Sequence, residues 1–500
     1  MTYDFDALLD RVEKPARYTG GEMNAEVKPI SQAEISFAFC FPDTYEVAMS
    51  HLGMKILYGI LNELPYAVCE RVCMPWVDML CELRKSNIPL CSLESHTPLS
   101  RFDIIGFTLQ YEMSYTNVLE MMDLGGVPVL SSERGEDDPI VLAGGPCAFN
   151  PEPLHLFIDA FLIGDGEDSI VEVTDVLNAC KKEGVPRAER LKRLASLRGV
   201  YVPGLYHDEY NADGTLKSLE PTDPCAPPRV LRSILTDFEN AYVPTRPPVP
   251  YIQPVFDRIM LEIMRGCTRG CRFCQAGMLY RPVRERSVDK LVELAKESVK
   301  NTGYEEISLS SLSSSDYSCI SELAGRLTDE LRDQRVSLSL PSLRVDKFVQ
   351  DTLTHTQKVK KSSLTFAPEA GTQRLRDVIN KNVTEADLVN TLTNAFSNGW
   401  NAVKLYFMTG LPTETDEDLI GIAELAKTAA GAYYSVPKEK RVKGLRITCS
   451  AAVFVPKPFT PFQWCRQDDP ETVRRKQRLV REHFAPLKSA HFNYHDSGVS

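Results

Sequence analysis

Short, nearly uninterrupted apolar runs alternate with amphipathic stretches along most of this 500-residue chain. Such runs are typical of strands buried on both faces of a parallel sheet, and the amphipathic stretches are typical of the helices that cover them. The pattern therefore predicts an α/β fold. The runs of the first half are ISFAFCF (35–41), DIIGFTL (103–109), IVLAGG (140–145) and IDAFLIG (158–164).

These four runs predict an N-terminal doubly wound parallel sheet over residues 1–180. Ligands of such open sheets bind at the carboxyl ends of the strands. Residues 181–257 differ, because nine prolines lie between positions 221 and 254. Proline removes a backbone donor and fixes φ, so this composition predicts an extended Pro-rich connector between two domains.

Alternation returns after residue 257 and predicts a partial (β/α)6 TIM-type barrel over residues 258–465. The active face of such a barrel is the carboxyl end of its strands. A C-terminal helical tail is predicted over 466–500. The six candidate strands are IMLEIM (259–264), EEISLSSL (305–312), SLSLP (337–341), SSLTFA (362–367), AVKLYFM (402–408) and LRITCSAAVF (445–454).

The formal net charge is −11, which argues against a globally basic nucleic-acid-binding surface. No run approaches the roughly 18 consecutive apolar residues of a membrane span. The first residues have no basic stretch followed by an apolar one, as a secretory signal would. We therefore expect a cytoplasmic protein with no membrane partner.

Three of the fourteen cysteines form one tight group, in the segment MRGCTRGCRFCQAG. Cys267, Cys271 and Cys274 follow the first predicted barrel strand with the spacing C-x3-C-x2-C. Thiolates are soft ligands that select zinc, copper(I) or iron–sulfur clusters. A structural zinc site needs a fourth ligand, but the next candidates downstream are the distant Cys319 and His355. Three thiolates alone favour a 4Fe–4S cluster with one open iron, with zinc and unligated core cysteines as the alternatives.

This motif, with Phe273 before the last cysteine and Gly277 after it, resembles the signature of the radical S-adenosylmethionine superfamily. The resemblance implies that the open iron chelates the amino and carboxylate groups of S-adenosylmethionine. One electron then cleaves the sulfonium to a 5′-deoxyadenosyl radical. It also implies an electron donor such as flavodoxin or ferredoxin.

Two further segments resemble that superfamily. SLSSSDY (311–317) stands where many members carry Gly-Gly-Glu, so Ser311 and Ser313 are the candidate contacts to the methionyl amino group. TFAPEAGTQRLR (365–376) resembles the Glu-x-Gly segment and implies that Glu369 lies near the ribose or amino group. The alternative for Glu369 is an ordinary loop residue beside a helix start.

The N-terminal domain resembles the cobalamin-binding domain of cobalamin-dependent radical enzymes. The resemblance rests on three segments: FCFPDTYEVAMSHLG (39–53), LAGGPCAFNPEP (142–153) and LIGDGEDSI (162–170). Glycine at a strand end lets a nucleotide tail approach the backbone, although it also makes tight turns in proteins that bind nothing. The candidate glycines are Gly144, Gly145, Gly164 and Gly166. No Asp-x-His-x-x-Gly motif is present, so any cobalamin would bind without an axial histidine.

Together these features predict a radical enzyme that transfers a methyl group or a radical to an unknown substrate. One alternative is a methylthiotransferase-like enzyme that modifies RNA or protein, with a second cluster on Cys40, Cys73 and Cys91. Another is a non-catalytic iron–sulfur scaffold. The sequence assigns no catalytic side chain.

Overall fold

The protein is described by a computed structural model over residues 5–339 and 364–496. It divides into two compact units, each with its own parallel sheet and hydrophobic core. The units are Met1–Asp257 with Lys300–Gly303, and Arg258–Val299 with Tyr304–Ser500.

A six-stranded sheet forms the centre of the first unit. Its strands are β1 (Ile35–Phe41), β2 (Ala67–Cys73), β3 (Ile104–Thr108), β4 (Ile140–Gly144), β5 (Ala160–Leu162) and β6 (Val200–Tyr201). They lie in the order β2-β1-β3-β4-β5-β6, and all neighbours are parallel except β5 and β6. The chain leaves β1 first to one side and then to the other, so the predicted doubly wound sheet is confirmed.

Helices cover both faces of this sheet. Phe37 and Phe39 of β1 enter one core, whereas the alternate residues Ala38 and Cys40 enter the other. This explains why the strand is apolar at every position. The helices are α1 (Asp6–Leu9), α2 (Tyr45–Ala48), α3 (Leu52–Glu63), α4 (Val77–Ser86), α5 (Tyr115–Leu124), α6 (Glu167–Glu183) and α7 (Arg187–Ala195).

Strand β2 is a strand that the apolar pattern does not predict, because two charged residues interrupt it. Glu70 is fully buried and accepts a hydrogen bond from Ser95 Oγ at 2.6 Å. Arg71 is also buried, and its guanidinium pairs with Glu22 at 2.7 Å and with Glu94 at 2.6 Å. Buried charges persist when each finds a partner, and this pairing keeps β2 inside the sheet.

The segment predicted as an extended connector is more regular than expected. Helix α6 runs through residue 180, where the first domain was predicted to end, and α7 and β6 follow it. A hairpin of β7 (Tyr206–Tyr210) and β8 (Leu216–Pro221) comes next. Only the proline-rich part, 222–257, lacks helices and strands. The prolines therefore act locally, and the prediction extended their effect too far upstream.

The second unit contains seven parallel strands in two described sheets. Their orders are β13-β12-β9 and β14-β15-β16-β17, and β10 and β11 form a short antiparallel ribbon beside them. The strands are β9 (Ile259–Glu262), β10 (Met264–Arg265), β11 (Arg284–Glu285), β12 (Glu306–Ser310), β13 (Ser337–Ser339), β14 (Leu364–Glu369), β15 (Ala402–Thr409), β16 (Arg446–Val453) and β17 (Ala490–Tyr494).

All six predicted barrel strands have a counterpart here. Residues 340–341 and 362–363 of two predicted strands lie outside the described residues. The tail predicted as helical ends instead in β17, which pairs with β16. A short run, AHFNY, follows a strongly amphipathic helix, so the helical pattern obscured the strand.

Helices of the second unit follow its strands in the manner of a (β/α) barrel. They are α8 (Ala276–Leu279), α9 (Val288–Thr302), α10 (Ile320–Glu330), α11 (Gln373–Val378), α12 (Glu385–Ser397), α13 (Asp416–Ser435) and α14 (Pro470–Phe484). Among the helices that the structure describes, none combines the length and the apolar character needed to cross a bilayer.

The buried pairing of Arg71 makes a stability prediction. Arg71→Met should lower the free energy of unfolding of the first unit by about 3–5 kcal/mol, because Glu22 and Glu94 then remain buried without a cation. Urea unfolding measures the loss. Arg84→Met is the matched control, since the exposed Arg84 pairs with acids at the surface and should matter little. Equal effects of the two substitutions would contradict the prediction.

Candidate functional site

The three clustered cysteines lie on a loop that the ribbon of β10 and β11 closes at its base. Gly266 begins the loop with φ +94°, and a Cβ there would lie 2.6 Å from the carbonyl oxygen of Tyr280. Only glycine fits this position. The start of the loop at Gly266 therefore packs closely against its end near Tyr280, and the pairing of β10 with β11 joins the two.

The three sulfur atoms have different surroundings. Cys271 is buried, whereas Cys267 and Cys274 are half-buried, and none of the three is part of a disulfide. Burial raises the pKa of the Cys274 thiol, while the backbone N–H groups of Gly277 and Ala276 and the charge of Lys381 act in the opposite direction. Gly277 lies close to Cys274, because a Cβ added at Gly277 would be 3.9 Å from the sulfur of Cys274.

In the described parts of the chain, no three His, Cys, Asp or Glu side chains are placed to hold a single metal ion. Cys267, Cys271 and Cys274 do not form such a single-ion group. The same is true of Cys40, Cys73 and Cys91, which the methylthiotransferase alternative would need together.

An ion pair anchors the cysteine loop to the segment after β12. Arg269, between the first two cysteines, donates from Nε to Asp316 Oδ2 at 2.8 Å. Ser313 is buried and donates its hydroxyl to the same carboxylate at 2.7 Å. Ser311 and Ser314 share a hydrogen bond of 3.0 Å between their hydroxyls. The two candidate serines thus lie beside the loop, and Ser313 supports its anchor.

A turn after α11 holds the loop from another direction. The backbone N–H of Arg272 donates to the carbonyl oxygen of Ile379 at 3.0 Å. Asn380, in the left-handed region at φ +54°, donates from Nδ2 to the carbonyl oxygen of Gly270 at 3.0 Å. The turn and the cysteine loop are therefore joined by both backbone and side-chain hydrogen bonds.

Glu369 ends β14 in the left-handed region, at φ +70°, where the register with β15 shifts. Its carboxylate accepts a hydrogen bond from Lys381 Nζ at 2.9 Å, and both side chains are largely buried. Lys381 follows Asn380, whose side chain bonds to Gly270. The turn that holds the cysteine loop therefore also carries the lysine that pairs with Glu369.

Phe273 packs into a small apolar cluster at the carboxyl ends of the strands. The cluster contains Ala370, next to Glu369, and Phe454, just after β16. The aromatic residue of the motif therefore fixes the loop against the ends of β14 and β16.

The four candidate glycines of the first unit lie at the carboxyl ends of β4 and β5, as predicted. Gly164 has φ +117°, and an added Cβ would lie 2.1 Å from the carbonyl oxygen of Ser233. Gly145 has φ +101°, and an added Cβ there would lie 2.8 Å from the carbonyl oxygen of Leu109. These two glycines therefore accommodate the protein's own backbone. A Cβ added at Gly144 would lie 3.8 Å from the nearest atoms, and one added at Gly166 would lie 3.4 Å from the side chain of Leu57, so both positions are less crowded.

The same edge of the sheet carries exposed apolar side chains. Trp76 follows β2 and is 44% exposed, while Tyr111 and Met113 follow β3 and are 41% and 70% exposed. The hydroxyl of Tyr111 donates to Asp43 Oδ2, after β1, at 2.8 Å. This edge therefore presents apolar side chains, and the guanidinium of Arg17 lies 5.4 Å from the centre of the Trp76 ring.

His51 lies near this edge but is used internally. Its Nδ1 accepts a hydrogen bond from the backbone of Met54 at 3.1 Å and caps α3. Burial lowers the pKa of His51 to about 4, so the ring is neutral at pH 7. It is placed as a helix cap, in line with the absence of an axial-histidine motif.

Sequence reasoning missed three residues that fix the loop, Arg269, Asp316 and Asn380, and it also missed Lys381, which pairs with Glu369. Arg269 and Asp316 both lie in segments that the sequence analysis singled out for other residues. Asn380 and Lys381 carry no sequence signal, because their importance arises from a turn that only the fold brings to the cysteines.

Two family models match parts of this chain. Residues 53–203 match the family described as "Radical SAM proteins, N-terminal", and residues 261–426 match the "Radical SAM superfamily". The chain is 33% identical over 427 residues to the uncharacterized protein MJ0966 of Methanocaldococcus jannaschii, covering 85% of this chain and 78% of that protein.

Two solved structures share the fold. One is the radical S-adenosylmethionine methyltransferase TsrM of Kitasatospora setae, with cobalamin and a [4Fe–4S] cluster bound. Its TM-score is 0.54 at 12% identity, over 86% of this chain and 74% of that one. The other is the cobalamin-dependent S-adenosylmethionine radical enzyme OxsB, with aqua-cobalamin and S-adenosylmethionine bound. Its TM-score is 0.56 at 14% identity, over 89% of this chain and 61% of that one.

The anchor between Arg269 and Asp316 predicts a change in loop dynamics. Asp316→Ala should speed amide hydrogen exchange of residues 266–275 about tenfold, because a charge-assisted hydrogen bond contributes about 1.5–3 kcal/mol and this pair is partly exposed. Mass spectrometry of peptides from this loop measures the rate. Asp329→Ala, which removes an exposed i,i+3 pair with Arg332, should leave it unchanged. Unaltered exchange in Asp316→Ala would refute the anchoring role.

Proposed function

Because this chain belongs to the radical S-adenosylmethionine superfamily, we propose that Cys267, Cys271 and Cys274 ligate three irons of a 4Fe–4S cluster. The fourth iron then remains for S-adenosylmethionine. The observation that carries this proposal is the donor set itself: three soft thiols within eight residues, on one loop fixed by Gly266 and Arg269. A fourth protein ligand is not required, which distinguishes this site from structural zinc.

When bound, such a cluster supplies one electron that splits S-adenosylmethionine into methionine and a 5′-deoxyadenosyl radical. The protein's own residues hold the loop and shape the space around it. Glu369 retains acceptor capacity beyond its bond to Lys381, so it suits a ribose hydroxyl or the methionyl ammonium. Ser311 and Ser313 support the anchor of the loop through Asp316, and Phe273 and Gly277 hold the last cysteine in place.

We further propose that the first unit binds cobalamin, which supplies a transferable methyl group when bound. The apolar side chains at the ends of β2 and β3 suit the face of a broad, largely apolar ring. Gly144 and Gly166 leave room for a nucleotide tail, whereas Gly145 and Gly164 are already approached by the protein's backbone. Because His51 is a half-buried helix cap whose Nδ1 accepts from the backbone of Met54, cobalt would have no histidine ligand from this position.

The reaction that follows is a methyl or radical transfer to an unactivated position of a substrate that remains to be identified. Radical cleavage needs single electrons, so we propose a small redox protein of the flavodoxin or ferredoxin type as electron donor.

The first test concerns the cluster. Anaerobically reconstituted protein should contain about four irons per chain and, with a strong reductant, should cleave S-adenosylmethionine to 5′-deoxyadenosine and methionine. Cys271→Ala should abolish both, because it removes one of only three thiolates. Cys319→Ala is the matched control, since this exposed cysteine of the same unit lies outside the loop.

Two outcomes would overturn this proposal. Stoichiometric zinc without iron or sulfide in anaerobic protein would replace the cluster by a structural zinc site. An intact, reducible cluster that never cleaves S-adenosylmethionine would support the scaffold alternative.

The second test concerns cobalamin. The full chain should retain about one cobalamin through gel filtration, with an electron paramagnetic resonance spectrum of Co(II) that shows no splitting from an axial nitrogen. His51→Gln should leave that spectrum unchanged. Cys271→Ala should also retain cobalamin, because it affects only the second unit. A chain that retains no cobalamin under these conditions would remove the methyl-transfer proposal while leaving the cluster proposal intact.

A further inference from the structure

Lys381 is a basic residue next to Asn380, which bonds to Gly270 of the cysteine loop, and it lies twelve residues from its acidic partner in sequence. Its Nζ is 2.9 Å from Glu369 Oε1, and the side chains of Lys381 and Glu369 are only 13% and 15% exposed. Because most of both side chains is shielded from solvent, salt screens this pair less than it screens exposed pairs.

The backbone around Lys381 is held as firmly as its side chain. Its own N–H donates to the carbonyl oxygen of Arg376 at 2.9 Å, which closes the turn after α11. The preceding residue, Asn380, bonds to Gly270, and Ile379 accepts from Arg272. Lys381 therefore cannot move away from the cysteine loop without breaking several hydrogen bonds.

We propose that Lys381 is a positioning residue that sets the reduction potential of the iron–sulfur cluster, with Glu369 as the counter-charge that moderates it. This inference rests on the proposed cluster at Cys267, Cys271 and Cys274. Reduction adds one negative charge to the cluster, and a fixed cation beside it stabilises the reduced form. An anion at the same place has the opposite effect. Lys381 directly follows Asn380 and Ile379, which are hydrogen-bonded to Gly270 and Arg272 on either side of Cys271, so both charges of the Lys381–Glu369 pair lie beside the loop and the potential depends on the balance between them.

The pair can be tested by removing each charge separately, because the two removals should shift the reduction potential in opposite directions. Lys381→Met leaves the carboxylate alone and should make the potential more negative. Glu369→Gln leaves the ammonium alone and should make it more positive. Each shift should amount to about a tenfold change in the reduction equilibrium, about 59 mV for one electron. Redox titration followed by electron paramagnetic resonance, without S-adenosylmethionine, measures both, and iron content confirms that the cluster is present.

Three further variants separate charge from structure. The double variant Lys381→Met with Glu369→Gln removes both charges and should return close to the parent potential. Lys381→Arg keeps the cation and should also stay near the parent. Lys427→Met is the matched control, because this exposed lysine pairs only with Glu424 at the surface. If Lys381→Met does not assemble a cluster, Glu369→Gln and Lys381→Arg still decide the question.

Single variants that both shift the potential in one direction, or that leave it unchanged, would overturn the inference. Such results would not affect the proposed function, because the parent would still hold its cluster and cleave S-adenosylmethionine. A parent chain that assembles no iron–sulfur cluster would instead refute the proposed function, and the inference would fall with it.

Discussion

Burial of both faces of a parallel sheet is the constraint on which this molecule depends. Every residue of β1 is buried, with alternate side chains in two separate cores. Polar groups on such faces need buried partners, as Arg71 of β2 has, so most of them lie on the loops that follow the strands. The cysteine loop, the Asp316 anchor, Trp76 and Tyr111 follow the carboxyl ends of strands, and Glu369 is the last residue of one. The candidate site residues lie there because the rest of each sheet is committed to packing.

Sequence patterns predicted the strands well where burial is uniform and failed where charge is buried. The runs at β1, β3 and β4 were recognised because they are apolar throughout. Strand β2 was not, because Glu70 and Arg71 look like loop residues until their partners are known. Those partners lie far away in sequence, and no local window contains them. Strand β17 was hidden for a different reason, since it is short and follows a long amphipathic helix.

The candidate site divides in the same way. The cysteines were found because their spacing is local, and the segments carrying Glu369 and Ser313 were found by resemblance. The support of the loop by Arg269 and Asn380 comes from contacts across 47 and 110 positions of sequence, and the pair of Lys381 with Glu369 spans 12 positions. At Gly145 and Gly164 the sequence located the residues but not the reason for glycine. Their positions were predicted correctly, but the close approach that requires glycine is made by the protein's own backbone.

The pairing of Arg71 has a practical consequence for dividing the protein into fragments. One of its two acidic partners, Glu22, precedes the first strand and lies outside the family match that begins at residue 53. Glu22 also accepts a hydrogen bond from the buried hydroxyl of Tyr45 at 2.8 Å. A recombinant fragment trimmed to the sheet alone would therefore carry a buried tyrosine without its acceptor and an arginine with half of its neutralising charge. Expression boundaries for this unit belong upstream of the segment that homology delimits.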